Sequence, residues 1–228
     1  LVYAKGFGVV SVEDPRPVTP DMLFRIGSTT KMLTAAAFVR AAGVSGARLD
    51  APVGTYATGL DSAVGRVTAH QLLSHTAGLA DRGAPFGPDD EDALAEEVRS
   101  WRADAFFTEP GALHSYASRG YWLVGYLIEQ LAGRPYADAM DSLLFAPLGM
   151  TRSTLRPLVA MTYPLAVGHM AADGSTVVAR PAANNAATWP GGSVFSNVYD
   201  LARFATAFMA PADTAGLPAF VPDRMARP

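Results

Sequence analysis

The stretch FRIGSTTKMLTA, residues 24–35, decides how the rest of the chain is read. From Lys31 the pattern continues as KMLTAAAFVRAA to Ala42, apolar on nearly every face, with Gly43 as its expected stop. A helix of that kind belongs in the middle of a fold and not on its surface. At its head stand Ser28 and Lys31, three residues apart, which puts both side chains on one face of the first turn. A cation there is opposed by the helix dipole, which prefers Asp or Glu. The lysine is also out of character: of 18 basic residues only Lys5 and Lys31 are lysines. With so few lysines, Ser-x-x-Lys is expected by chance only about 0.1 times in the chain.

The pairing has a chemical reason. A serine hydroxyl is a weak nucleophile and needs a neighbour that takes up its proton. An amine in an apolar setting is held less firmly in its charged form and can share that proton. A helix N-terminus favours a developing anion at the same spot. A second stretch, Tyr116-Ala117-Ser118, lies after the Pro110-Gly111 turn and before another apolar run. A tyrosine in such a place is ordinarily a core aromatic, but beside an ammonium a phenol can act as a proton shuttle.

Outward from these points, Leu1 to Ser11 reads as a strand and Pro15, Pro17 and Pro20 as an irregular loop. Thr68 to Ser74 is a short helix followed by the turn HTAGL, residues 75–79. Asp81 to Asp92 is an exposed loop, and residues 93–102 an amphipathic surface helix. The run 120–132 is an apolar helix closed by Gly133, and Tyr136 to Phe145 one more, halted by Pro147. Thr176 to Arg180 is a short strand, Gly191-Gly192 a flexible joint, and Ser196 the N-cap of a helix over 197–209. Strand-like ends around a helical middle indicate an α+β fold. They divide the chain into a discontinuous sheet-plus-helix part, 1–45 and 190–228, and an inserted, mainly helical part, 46–189.

Composition removes several classes of function. Half of the 228 residues are hydrophobic and 17% charged, so the chain carries a core and is not a disordered segment. A net charge of −3 without a basic patch argues against nucleic-acid partners. No apolar run reaches the ~18 residues of a membrane span; Ala35 to Ala42 is short and holds Arg40. The absence of cysteine removes disulfides, thiolate zinc sites and cysteine nucleophiles. His70, His75, His114 and His169 form no compact zinc pattern, and His75 and His114 read as loop-anchoring hydrogen-bonders. There is no Gly-x-Ser-x-Gly elbow and no phosphate cradle. Asp89 to Asp92 reads as solvated loop, and Tyr121, Trp122 and Tyr126 as packing. The chain opens at Leu1 and not Met, which admits a trimmed terminus. Compartment and oligomeric state are not addressed by any of these features.

Five ordered blocks carry a resemblance: FRIGSTTKMLTA (24–35), HQLLSHTAGL (70–79), EPGALHSYASRGYWLVGYLIEQLAGRPY (109–136), APLGMTRSTL (146–155) and GGSVFSNVYDLARF (191–204). Together they resemble the penicillin-recognising serine hydrolases, in the branch of class C β-lactamases, D-Ala-D-Ala carboxypeptidases and β-lactamase-like esterases. The resemblance implies a β-lactamase-like fold: an antiparallel sheet flanked by helices, plus a helical domain, with the active site between them. It implies Ser28 as acylating nucleophile, Lys31 as its proton-handling partner and Tyr116 as general base and acid. Ser118 would be the substrate contact, standing where this branch usually has Asn; a hydroxyl keeps a polar contact but loses the amide's paired donor and acceptor. His75 and Leu79 match a structural turn and Asp200 a helix start. No metal or organic cofactor is implied.

The family's third element, Lys-Thr-Gly or His-x-Gly on a sheet strand, has no counterpart after Phe204, where the chain runs to RMARP. A strand ahead of Leu1 is also absent, so the chain is expected to lack sheet strands at both ends. That third strand supplies one oxyanion donor in the family, and losing such a donor costs about 2.7–4 kcal/mol of transition-state stabilisation. Two functions therefore follow from the resemblance. One is a serine hydrolase acting on a β-lactam, a D-Ala-D-Ala-type peptide or a small ester through an acyl-enzyme on Ser28. The other is a non-catalytic relative that binds a peptidoglycan-like or peptide ligand, or an inactive fragment.

Overall fold

The computed structural model describes residues 1–209. The end of the expected sheet-plus-helix part, 210–228, and most of the stretch without a third motif lie outside the described residues. At the centre is helix α1 (Thr30–Ser45), which buries Leu33, Ala36, Ala37, Phe38, Ala41 and Ala42. It passes through Gly43 and ends at Gly46, whose φ of 76° is the left-handed geometry a helix stop needs. Gly43 keeps helical backbone, and a glycine stops a helix only where the chain turns left-handed.

Short helices α2 (Ser62–Gly65) and α3 (Ala69–Leu73) follow. The latter starts with a capping box, the Thr68 hydroxyl accepting from Gln71 N–H and the Gln71 amide oxygen from Thr68 N–H. Helix α4 (Ala93–Ser100) lays Ala93, Leu94 and Val98 against the core. Helix α5 (Ser118–Ala132) packs along α1 and closes at the left-handed Gly133. Helix α6 (Tyr136–Met140) continues into a wide π-turn over Asp141–Phe145. Three further helices are α7 (Pro157–Ala160), α8 (Trp189–Gly192) and α9 (Val198–Met209).

The strands pair in twos. Strand β1 is Val9–Ser11, shorter than the Leu1–Ser11 expected. Its antiparallel partner β2 (Asp14–Pro17) comes from the proline-rich stretch expected to be irregular. In a two-stranded ribbon each strand needs its N–H groups on one side only, so Pro15 and Pro17 are tolerated. Strand β3 (Phe24–Arg25), directly ahead of α1, pairs with β6 (Phe195–Ser196). Strands β4 (His169–Ala172) and β5 (Ser175–Val178) form a hairpin about Asp173 and Gly174, both at positive φ.

Two expectations are corrected at the second crossing of α1. Gly191-Gly192 is not a joint. It belongs to α8, which three side chains on one face of α1 hold in place. Thr34 Oγ1 donates to Pro190 O at 2.8 Å, Lys31 Nζ to Gly191 O at 2.6 Å, and Thr30 Oγ1 accepts from Val194 N–H at 3.1 Å. The apolar helix thus has a narrow polar face, buried because every group on it has a partner. The second correction concerns the cap of α9, which is Asn197: its Oδ1 accepts from Asp200 N–H at 2.9 Å. Ser196 is in β6, its hydroxyl paired with Ser153.

Candidate active site

Ser28 sits in a 3-10 turn, Gly27–Thr29, wedged between β3 and α1. Gly27 has φ 55°, a left-handed conformation that swings the chain out of the strand and presents Ser28 to solvent. One turn on, Lys31 is buried, so its ammonium needs partners. Three oxygens meet its three N–H donors: Gly191 O at 2.6 Å, Ser28 Oγ at 3.3 Å and Ser118 Oγ at 3.3 Å. The same ammonium lies 4.9 Å from the centre of the Tyr116 ring and 5.6 Å from that of Tyr121.

Tyr116 reaches Ser28 from the other side, its hydroxyl donating to Ser28 Oγ at 2.8 Å. The four residues singled out in the sequence, Ser28, Lys31, Tyr116 and Ser118, thus converge from two distant segments. Burial works against ionising the Tyr116 phenol. The Lys31 ammonium close by and the hydrogen bond with Ser28 outweigh it and hold the pKa below that of a free tyrosine. Neighbouring Tyr121 shows the opposite: burial, and then Tyr116, raise its pKa.

His75 builds the platform on which Tyr116 stands. Its backbone is left-handed at φ 58°, unusual for a side chain of that size. That turn lets its carbonyl accept from Ser115 N–H at 2.8 Å while its Nδ1 accepts from Ala117 N–H at 3.2 Å. The residue between them is clamped, with its ring 4.5 Å from the imidazole. Burial, the Lys31 charge and His114 all lower the His75 pKa, which keeps Nδ1 free to accept. Among the described residues His114 has no hydrogen bond that anchors its loop. It stands edge-on to His75 at 5.9 Å, exposed on its outer side.

Two participants were not singled out by the sequence. Asp81 Oδ1 accepts from Ser118 N–H at 2.8 Å, capping α5 from a remote loop because Ala117 at the cap position has no side-chain acceptor. Arg25 donates through Nη2 to Ser193 Oγ at 2.6 Å and through Nη1 to Ala183 O. Both line a cavity of about 490 Å³ that has Ser28, Ser118 and Trp122 in its walls. An aspartate in a Gly- and Pro-rich loop and an arginine in a two-residue strand carry no local pattern that would reveal them. Among the described residues no cluster of His, Asp or Glu side chains could hold a metal ion.

Comparison with known proteins adds four matches. The family model described as Beta-lactamase matches residues 1–226. The chain is 31% identical over 210 residues to Penicillin-binding protein 4 of Amycolatopsis lactamdurans, covering 90% of this chain and 53% of that protein. It is 33% identical over 168 residues to Esterase EstB of Burkholderia gladioli, covering 66% and 43%. Among solved structures, the D-alanine carboxypeptidase AmpC of Burkholderia cenocepacia superposes with a TM-score of 0.69 at 30% identity, covering 92% of this chain and 56% of that one. The chain spans about half the length of the curated relatives it matches.

Proposed function

The chain belongs to the beta-lactamase family and has its α+β fold, and from that premise we propose that it is a serine hydrolase that forms an acyl-enzyme on Ser28. The observation that carries this reading is the 2.8 Å contact between the Tyr116 hydroxyl and Ser28 Oγ, with Lys31 Nζ against the same oxygen. Once the Tyr116 hydroxyl has given up its proton to solvent, leaving a phenolate that the Lys31 ammonium favours, Ser28 Oγ attacks an amide or ester carbonyl and passes its own proton to the Tyr116 oxygen. The bond to the leaving group then breaks as Tyr116 returns that proton to it. Water attacks the Ser28 ester, again giving a proton to Tyr116, and the acid is released with the serine regenerated. In this reading the Ser28 backbone N–H, in the turn that leads into α1, donates to the oxyanion. The carbonyl belongs to a β-lactam, a D-Ala-D-Ala-type peptide or a small ester, and relatives named for penicillin binding and for esterase activity support that range.

The test is covalent labelling of the intact gene product by a fluorescent penicillin and by an activated ester. Label on the peptide that contains Ser28, lost in Ser28→Ala, is the expected outcome. Unchanged labelling in that variant would reject the assignment. Reversible binding of peptidoglycan fragments with no label on Ser28 would favour the non-catalytic reading, to which the single hydroxyl of Ser118 lends support.

A further inference from the structure

The cavity beside Ser28 has two charged side chains in its walls, Arg25 and Asp81. They do not pair with each other, and neither joins an ion pair among the described residues. Asp81 is engaged by the first N–H of α5, a partly positive group that offsets its charge. Among the described residues Arg25 is held by a hydroxyl, Ser193, and a carbonyl, Ala183. Two neutral acceptors fix the direction of the guanidinium and leave its charge uncompensated. Trp122 adds a donor without a partner: the side chain is buried, lines the same cavity, and its indole N–H meets no acceptor among the described residues.

Which part of a substrate would meet Arg25 follows from where the proton relay lies. The leaving group takes its proton from Tyr116, so it departs on the side of Tyr116 and Lys31. Neither of those residues lines the cavity. The space next to Arg25 therefore receives the acyl side of the scissile bond. We propose that Arg25 is a specificity residue that binds an anionic substituent on the acyl group, so that esters or amides of dicarboxylic acids are preferred over those of neutral acids of the same length. A planar guanidinium presents parallel N–H donors that match a carboxylate. This inference rests on Ser28 being the nucleophile.

The test compares p-nitrophenyl hemiglutarate with p-nitrophenyl valerate, equal in chain length and different in charge, on the intact gene product. The hemiglutarate is expected to have the higher kcat/KM. Arg25→Gln is expected to lower that value roughly 10- to 100-fold, the range of a lost charge-assisted contact, and to lower the valerate value by a much smaller factor. Equal rates in the wild type, or an equal fall for both esters in Arg25→Gln, would overturn the proposal. Should Arg25→Gln not fold, free glutarate must inhibit valerate hydrolysis by the wild type more strongly than glutaramide does; equal inhibition overturns it. Calorimetry on Ser28→Ala separates the two readings. Heat from glutarate that disappears in Ser28→Ala/Arg25→Gln supports the Arg25 subsite even if no ester is turned over, whereas no heat in either counts against it.

Discussion

A surface serine differs from a nucleophile only in what its oxygen touches, and Ser28 Oγ touches a phenol and an ammonium. The most direct consequence concerns protons. Tyr116 and Tyr121 have their ring centres 4.9 and 5.6 Å from the Lys31 ammonium, yet their pKa values move in opposite directions from 10.0. In a titration followed by NMR with tyrosine labelled at the ring carbon that bears oxygen, Tyr116 should ionise first and Tyr121 well after it. Replacing Lys31 by Met removes a nearby positive charge that favours the phenolate, so the Tyr116 midpoint should move up. An unmoved midpoint in Lys31→Met would show that the amine does not tune the phenol.

Elements are joined by a few buried polar side chains, and one of them titrates in an accessible range. Glu129, near the end of α5, is buried and accepts from the Tyr136 N–H at 2.9 Å, which ties α5 to the start of α6. Burial outweighs that hydrogen bond and raises the carboxyl pKa from 4.5 to about 7. The folded state therefore binds this proton more tightly than the unfolded chain does. Between pH 4.5 and about 7 the unfolded chain holds fewer protons, so this group makes stability fall as pH rises through that window. The loss across that window is on the order of 3 kcal/mol. Glu129→Gln keeps an acceptor for Tyr136 N–H and cannot ionise. Urea unfolding at pH 5 and pH 8 should show this loss in the wild type and its absence in the variant. The same economy appears at Asp200, fully buried at the start of α9, which accepts from Arg152 N–H, the Ser153 hydroxyl and Arg203.

Across the whole molecule, the site exists because α8 is pressed between α1 and α5. Gly125 makes that approach possible: a Cβ there would stand 2.2 Å from Pro190 Cγ. Gly125→Ala must push α8 outward, away from Thr34 and Lys31, and overpacking of this kind costs about 1–3 kcal/mol. The melting temperature and Ser28 labelling should fall together in Gly125→Ala. Gly43→Ala, in open space on α1, should leave labelling intact and raise stability by roughly 0.5–1 kcal/mol, as for Ala over Gly within a helix. Labelling unaffected in Gly125→Ala would mean that the Gly191 carbonyl is not needed to hold Lys31. By itself the sequence determined the central helix, the pairing of Ser28 with Lys31 on its first turn and the likeness of five blocks to one family, because helical periodicity and i, i+3 spacing are local. It also brought out Tyr116, as a candidate phenol to set beside the Ser-Lys pair, and Ser118; their roles came from that likeness. What the tertiary structure alone decided is the clamp of His75 on Tyr116, the cap that Asp81 places on α5, the polar face of α1 that seats α8, and the position of Arg25 in the cavity wall. Each of these is a contact between residues far apart in sequence, and a hydrogen bond across such a distance leaves no period or composition to read; it exists only once packing has removed water from around both partners.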